Sequence, residues 1–415
     1  MNSENDNNCT PRLRFPGFTG EWEEKSLCEC FDERNEQYPE NEEYPLMAFV
    51  AGKGVSPKGE KYDRSALVKD AANKKYKRTE YGDFIYSSNN LESGSIGFNS
   101  YGKACISPVY SIFKSKNIVN FVFIGSLLTQ KSFISEMIKF RQGVVYGQWK
   151  IPEKEFLGMK VRIPSLAEQE KIAGCLSAMD ALIAAQRQKV DALQERKRGL
   201  MQQLFPQPGR TTPRLRFPGF TGEWEEKKLS DVFTRLTEKN KENNNNVLTI
   251  SAQYGLISQL DFFKKSVAAS DVTGYYLLHK GDFAYNKSSS QGKPVGAIKP
   301  LKLYEKGVVS TLYICFRCKD PNAIGFWEQY FDAGIFDREI TAIAQEGARN
   351  HGLLNVPTNE FFGLTIQLPK PDEQQKIAEC LSALDDIITA ETNELEILQA
   401  HKRGLMQQLF PQHIK

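Results

Sequence analysis

The feature that most constrains this chain is that it carries its own pattern twice. Residues Pro11–Leu27, PRLRFPGFTGEWEEKSL, return as Pro213–Leu229, PRLRFPGFTGEWEEKKL, and differ only at Ser26 against Lys228. A second pair of blocks closes each copy. Glu168–Gln207 opens EQEKIAGCLSAMD, Glu373–Gln412 opens EQQKIAECLSALD, and both end KRGLMQQLFPQ. Between the blocks the copies diverge but keep landmarks: Gly82-Asp83-Phe84 matches Gly281-Asp282-Phe283, Tyr110 and Phe113 match Tyr313 and Phe316, and Ile151-Pro152 with Phe156 matches Val356-Pro357 with Phe361. The chain therefore reads as variable domain, constant segment, variable domain, constant segment, with a pseudo-twofold internal repeat. The boundaries fall at residues 1–164, 165–205, 206–369 and 370–412.

The constant segments carry a heptad stripe. It runs Ile172, Leu176, Met179, Ile183, Gln186, Val190, Leu193, Lys197, Leu200, Leu204 in the first copy. In the second it runs Ile377, Leu381, Leu384, Ile388, Glu391, Leu395, Leu398, Lys402, Leu405, Leu409. Ser165 with Glu168 has the form of a capping box, Pro371 suits a first helical turn, and Pro206 and Pro411 mark the exits. A helix of about 40 residues is roughly 60 Å long at 1.5 Å per residue. A narrow apolar stripe needs a partner, and the other copy supplies it as an antiparallel intramolecular coiled coil. The polar seam positions suggest a register in which Lys197 faces Glu391 and Gln186 faces Lys402, which places Met179 on Leu409, Val190 on Leu398 and Leu200 on Ile388.

Composition adds bounds. The 415 residues suffice for two or three domains, and 40% hydrophobic with 25% charged residues is the balance of a soluble globular protein. The polar start has no apolar run of signal-peptide type, and Phe121–Leu128 is too short to span a bilayer, so a cytoplasmic location is expected. Eight cysteines in such a chain read as reduced thiols. A net charge of +3 decides nothing, but Lys58–Arg78 holds eight basic and three acidic residues, and Lys280–Lys306 holds six and two. Basic runs interleaved with tyrosine suit phosphate contact and base stacking, although a solvated lysine-rich face explains most such runs when they stand alone.

Two related heads on a rigid spacer sample two places on one linear object, and heads that differ should read different sequences. Here the sequence resembles the specificity subunits of bacterial type I restriction-modification systems, over essentially its whole length. The resemblance rests on the domain–helix–domain–helix order, the signatures IPSLAEQEKIA (Ile163–Ala173) and LPKPDEQQKIA (Leu368–Ala378), the KRGLMQQLF ends, and the RFPGF-x-G-x-W openings at Arg14 and Arg216. It implies two mixed α/β target-recognition domains separated by two long helices forming the coiled coil. Each domain would read one half of an interrupted asymmetric site in double-stranded DNA. It implies further that the helices set the half-site spacing and dock two methyltransferase subunits, with two restriction/motor subunits joining for cleavage. S-adenosylmethionine, ATP and Mg would be used by those partners, with no cofactor in this chain.

Base reading needs donors and acceptors that reach base edges above a platform of phosphate contacts. In the first domain Lys74, Lys75, Lys77 and Arg78 are candidates for phosphate, and Tyr146, Gln148 and Lys150, just before Ile151-Pro152, are candidates for bases. Trp149 between them reads equally well as a core residue. The matching place in the second domain holds Arg349, Asn350 and His351. The loop Asn286–Lys293, with Lys287, Ser289, Gln291 and Lys293, matches Ser87–Asn90 and so brings in Asn89 and Asn90.

No G-x-x-x-x-G-K-[ST] loop, G-x-G-x-x-G or Asn/Asp-Pro-Pro-aromatic motif occurs, and the four histidines have no metal-site spacing. Cys315 and Cys318 form a lone CxxC that reads as strand core rather than zinc. The rival readings are an enzyme with degenerate motifs, which would act alone, and a coiled-coil adaptor, which would bind no DNA. The near-identical repeats also suggest that homologous exchange could swap heads.

Overall fold

The computed structural model describes residues 10–57, 74–144, 148–207, 209–251, 255–263, 271–289, 293–344, 352 and 354–411. The chain divides into two compact units, residues 1–186 with 394–415, and residues 187–393. Each unit is thus assembled from two stretches of chain.

Each unit centres on a four-stranded antiparallel sheet with the same strand order. In unit 1 the order is Phe31–Glu33, Ser111–Ser115, Phe84–Tyr86, Ile96–Phe98; in unit 2 it is Phe233–Leu236, Ile314–Cys318, Phe283–Asn286, Ala297–Pro300. Registers also agree: Ser111 lies opposite Tyr86 as Ile314 lies opposite Tyr285, and Phe113 opposite Glu33 as Phe316 opposite Arg235. The landmark aromatics are the core. Phe113 and Phe156 stand 4.5 Å apart between ring centres, and Phe316 and Phe361 stand 5.7 Å apart. Aromatic pairs at such spacing add attraction beyond the area they bury. The Gly-Asp-Phe landmark is a turn: Asp83 accepts the Glu80 N–H and pairs with Arg34, while Asp282 accepts the His279 N–H and pairs with Arg317. A buried carboxylate needs a cation, and the two units supply it from different places, Arg34 just after the strand Phe31–Glu33 and Arg317 on the strand Ile314–Cys318. Cys315 and Cys318 are buried on the sheet strand Ile314–Cys318, and no metal-ligating cluster occurs among the described residues.

The long helices span Leu166–Leu204 and Pro371–Leu409, with Pro371 in the first turn. In unit 1 the start of the first helix, Ile172 and Leu176, shares an apolar cluster with Leu409 and Phe410 at the close of the second. In unit 2 Met201, Leu204 and Phe205 share one with Ile377 and Leu381. The helices run antiparallel within each unit, and the stripe has its partner.

The register differs from the expected one. Lys197 is held by both oxygens of Asp385, at 2.6 and 2.7 Å, rather than by Glu391, and Lys402 by Asp180 rather than Gln186. Glu391 pairs with Lys189 at 2.7 Å. Leu409 accordingly sits with Ile172 and Leu176 rather than on Met179, a displacement of about one heptad. The reason is the length of the lysine stem. Its methylenes lie along the apolar seam while the ammonium leaves it to reach a carboxylate on the flank, so a seam lysine needs no seam partner. The two pairs are repeat equivalents, Asp180 matching Asp385 as Lys197 matches Lys402.

The constant opening motif fastens the helix ends. Both oxygens of Glu168 bind the Arg14 guanidinium at 2.7 and 2.8 Å, so this carboxylate serves the arginine instead of the expected capping box. In unit 2 Arg216 grips Glu373 with two bonds of 2.7 Å. One residue earlier, the Leu13 N–H donates to the Gln408 carbonyl and the Leu215 N–H to the Gln203 carbonyl, each at 2.9 Å. Each opening motif thus joins the start of one long helix to the end of the other, inside one unit.

Gly94 and Gly296 precede equivalent strands, and both have φ +87°. At Gly94 a Cβ would make ordinary contacts with Ala51 at 3.8 Å and the Gly52 nitrogen at 3.9 Å, whereas at Gly296 it would lie 2.1 Å from the Asn286 carbonyl oxygen. Gly94→Ala is expected to cost about 1 kcal/mol of backbone strain. Gly296→Ala should cost about 2 kcal/mol because Asn286 must also move. Urea denaturation of the two variants checks the order; equal losses would refute it.

Candidate nucleic-acid interface

In unit 1 the loop Ser87–Asn90 follows the central strand Phe84–Tyr86, and the hairpin Gln142–Val144 with Gln148–Lys150 lies against it. Asn89 Oδ1 accepts the Trp149 N–H at 2.6 Å and Ser88 Oγ accepts the Ile151 N–H at 3.0 Å. The structure therefore brings together two of the sequence-predicted segments. Asn90 is exposed, and Lys150 is exposed with its ammonium 3.3 Å from Glu153. Gln148 lies on the second hairpin strand, its side chain outside the described atoms, and Tyr146 lies outside the described residues.

Trp149 is a surface residue rather than a core one, 48% exposed, while Trp22, Trp224 and Trp327 are buried. The Arg141 guanidinium lies 6.0 Å from its ring and is itself held by both oxygens of Glu92. A rigidly mounted, exposed indole next to a fixed cation is an arrangement that can stack on a base.

Among the four basic candidates before the sheet, Lys74 and Lys75 are exposed, with Lys74 Nζ 5.6 Å from the Tyr76 ring. Lys77 is corrected by the structure. It is buried, and its ammonium donates to the Tyr110 carbonyl at 3.0 Å. Burial holds its pKa below the usual lysine range, against the pull of Glu153 and Glu33. The strand Tyr76–Thr79 alternates, and Lys77 shares the inward face with Thr79. Arg78 is half-buried, its guanidinium 4.2 Å from the Tyr38 ring and 4.4 Å from the Tyr44 ring. The remaining residues 58–73 of that basic run lie outside the described residues.

Unit 2 repeats the arrangement. The Lys287 carbonyl accepts the Leu354 N–H at 3.0 Å, and the Ser289 N–H donates to Gly352 at 2.8 Å. Lys287 is half-buried, Ser289 exposed, and Lys293 lies 3.9 Å from Asp332. Gln291, Arg349, Asn350 and His351 lie outside the described residues. In both units, then, the loop after the third sheet strand meets the segment before the Ile-Pro or Val-Pro landmark. Gln186 and Glu391 are half-buried seam residues of the helices.

Sequence reasoning missed Arg235 and Thr358, which line a small open cavity beside Lys287. Superposing the two copies by strand register exposes them, because their unit 1 counterparts are Glu33 and Glu153.

Comparison with known proteins bears on this surface. The family model of the type I restriction modification DNA specificity domain matches twice, at residues 20–195 and 221–399. The type I restriction enzyme MjaVIII specificity subunit of Methanocaldococcus jannaschii is 24% identical over 321 residues, covering 73% of this chain and 72% of that protein. The crystal structure of the S subunit of a type I restriction-modification system from M. genitalium superposes with a TM-score of 0.54 at 13% identity, over 98% of this chain and 100% of that one. A chain from a structure on complex assembly and conformational transition of the type I R-M system gives 0.50 at 14% identity, over 97% and 100%. These structures share the fold.

Proposed function

We propose, on the premise that the chain belongs to the family of type I restriction modification DNA specificity proteins, that its two units each read one half of an interrupted, asymmetric site in double-stranded DNA. A specificity subunit selects DNA sequence and is not itself the catalyst. The observation that carries the finer reading is the paired placement just described: equivalent loops against equivalent segments, with different residues on them. Equivalent positions with unlike side chains suit two unlike half-sites. The long helices serve as spacer and as docking surface for two methyltransferase subunits, and two restriction/motor subunits join for cleavage. S-adenosylmethionine, ATP and Mg are used by those partners. The complex acts in the cytoplasm, where the genome is; no helix among the described residues is long and apolar enough to cross a membrane.

The residues proposed to meet DNA are Trp149, Asn89, Asn90, Gln148 and Lys150, with Lys74 and Lys75 on phosphate, and in unit 2 Lys287, Ser289, Lys293 and the segment Arg349, Asn350 and His351. Single-molecule sequencing of genomic DNA from a host expressing this chain, with and without its neighbouring methyltransferase, tests the function. A bipartite methylated motif that needs both proteins is the expected result. The absence of any motif from a folded, expressed pair would overturn the reading in favour of an adaptor.

Lys74→Ala with Lys75→Ala should weaken binding to every DNA sequence about equally and reduce the salt slope by about two, one per phosphate lost. Fluorescence anisotropy over a salt series measures this. An unchanged slope removes both lysines from the interface.

A further inference from the structure

The two units carry opposite charge at one equivalent place. In unit 1 Glu33, Lys77, Ser111 and Glu153 stand together: Ser111 Oγ donates to Glu153 at 3.1 Å, and both carboxylates act on the Lys77 ammonium. The cation is neutralised from within. Strand register and the Pro landmark identify the unit 2 counterparts as Arg235, Tyr276, Ile314 and Thr358. An arginine and a threonine replace the two carboxylates there. The lysine has moved to the adjoining loop, as Lys287 in place of Ser88.

The result is a cavity of about 50 Å³ lined by Arg235, Tyr276, Lys287, Thr311, Tyr313 and Thr358, with no carboxylate in its wall. Neither Arg235 nor Lys287 has an ion pair among the described residues. Burial alone accounts for the lowered pKa of Lys287, which no carboxylate offsets. Two cations and four hydroxyl-bearing side chains in a cleft too small for a nucleoside are the donors of a site for one tetrahedral anion. Lys287 also belongs to the loop proposed above to face DNA.

We propose that this cavity seats one backbone phosphate of the half-site read by unit 2, and that unit 1, with Glu33 and Glu153 at the same place, has no such seat. The proposal rests on the reading of the units as DNA-recognition domains. A seated phosphate fixes the register of that unit on its half-site and carries no sequence information itself.

The test uses the full chain reconstituted with its methyltransferase subunits. Equilibrium affinity is measured over a salt series for the wild type, Lys287→Ala, Lys287→Arg and Thr358→Glu, on duplexes with single methylphosphonate replacements. Thr358→Glu imports the unit 1 carboxylate and keeps a favourable acid in the first turn of the helix Thr358–Gly363. Lys287→Ala and Thr358→Glu are each expected to lose about tenfold in affinity and about one unit of salt slope, while Lys287→Arg retains both. One methylphosphonate in the unit 2 half-site should weaken the wild type similarly and leave Lys287→Ala unaffected. Sequence-specific binding by the wild type with unchanged affinity and slope in both variants overturns the phosphate seat alone. A shift of melting temperature by inorganic phosphate that Lys287→Ala abolishes, without any change in DNA binding, assigns the cavity to a free anion and overturns it too. A wild-type complex that binds no DNA overturns the recognition reading together with the seat.

Discussion

Phe410→Ala is expected to destabilise unit 1 by about 4 kcal/mol and to leave unit 2 nearly unchanged. Phe410 follows the second long helix, whose first half belongs to unit 2, so sequence proximity points to the wrong unit. Its ring is fully buried, 5.4 Å from Phe123 and 6.3 Å from Trp22, both in unit 1. Truncation leaves a cavity that the surrounding Trp22, Phe123 and Leu409 fill only in part. Hydrogen exchange read by mass spectrometry locates the damage: faster exchange should appear in Phe31–Glu33 and Phe121–Leu128. Faster exchange confined to residues 213–393 would contradict the assignment. Phe205 gives the mirror test, since it packs 5.9 Å from Phe326 and 5.7 Å from Tyr330 in unit 2.

Arg216→Ala should destabilise unit 2 by about 3 kcal/mol. Glu373 is 1% exposed and gives both oxygens to Arg216, so removing the guanidinium strands a buried carboxylate beside the helix start. Most of the loss comes from that uncompensated charge and not from the attraction of the pair. The double variant Arg216→Ala with Glu373→Gln should therefore recover a large part of the stability. Urea denaturation followed through the buried Trp224 measures the cycle. Equal losses in the single and the double variant would show that packing, not charge, holds the motif.

What the sequence disclosed was what is local. The helix limits at Leu166, Leu204, Pro371 and Leu409 follow from heptads and from prolines that stop them, signals contained in the segments themselves. The matched phenylalanines lie in the core, where interlocking rings tolerate little change of shape. The register was misread because a seam letter does not say where a lysine's charge ends up. Asp180 and Asp385 flank the seam, and only the stem length of Lys402 and Lys197 brings them into play. Lys77 was misassigned because a basic run suggests a wet face, although strand alternation at Tyr76–Thr79 was there to be read. The grip of Arg14 on Glu168 had a signal that went unused: both residues stand in constant blocks, with opposite charge, in each copy. Charge reversal at Glu33 against Arg235 was open to reading, because the offset of the opening block carries Phe31 to Phe233 and Glu33 to Arg235, but the sequence does not show that the position stands beside Lys77 in one unit and Lys287 in the other.

The assembly of each unit from two distant stretches has a consequence for how the protein is made. Synthesis runs from the N-terminal to the C-terminal side, and a domain ordinarily folds once its own residues have left the ribosome. Unit 1 cannot be completed in that order, because Leu409 and Phe410 belong to its apolar cluster. Its apolar cluster stays open, with Ile172 and Leu176 lacking their cover, until the whole of unit 2 has been translated. Unit 2 needs nothing beyond residue 393, so the half of the protein made second is the half that can finish first.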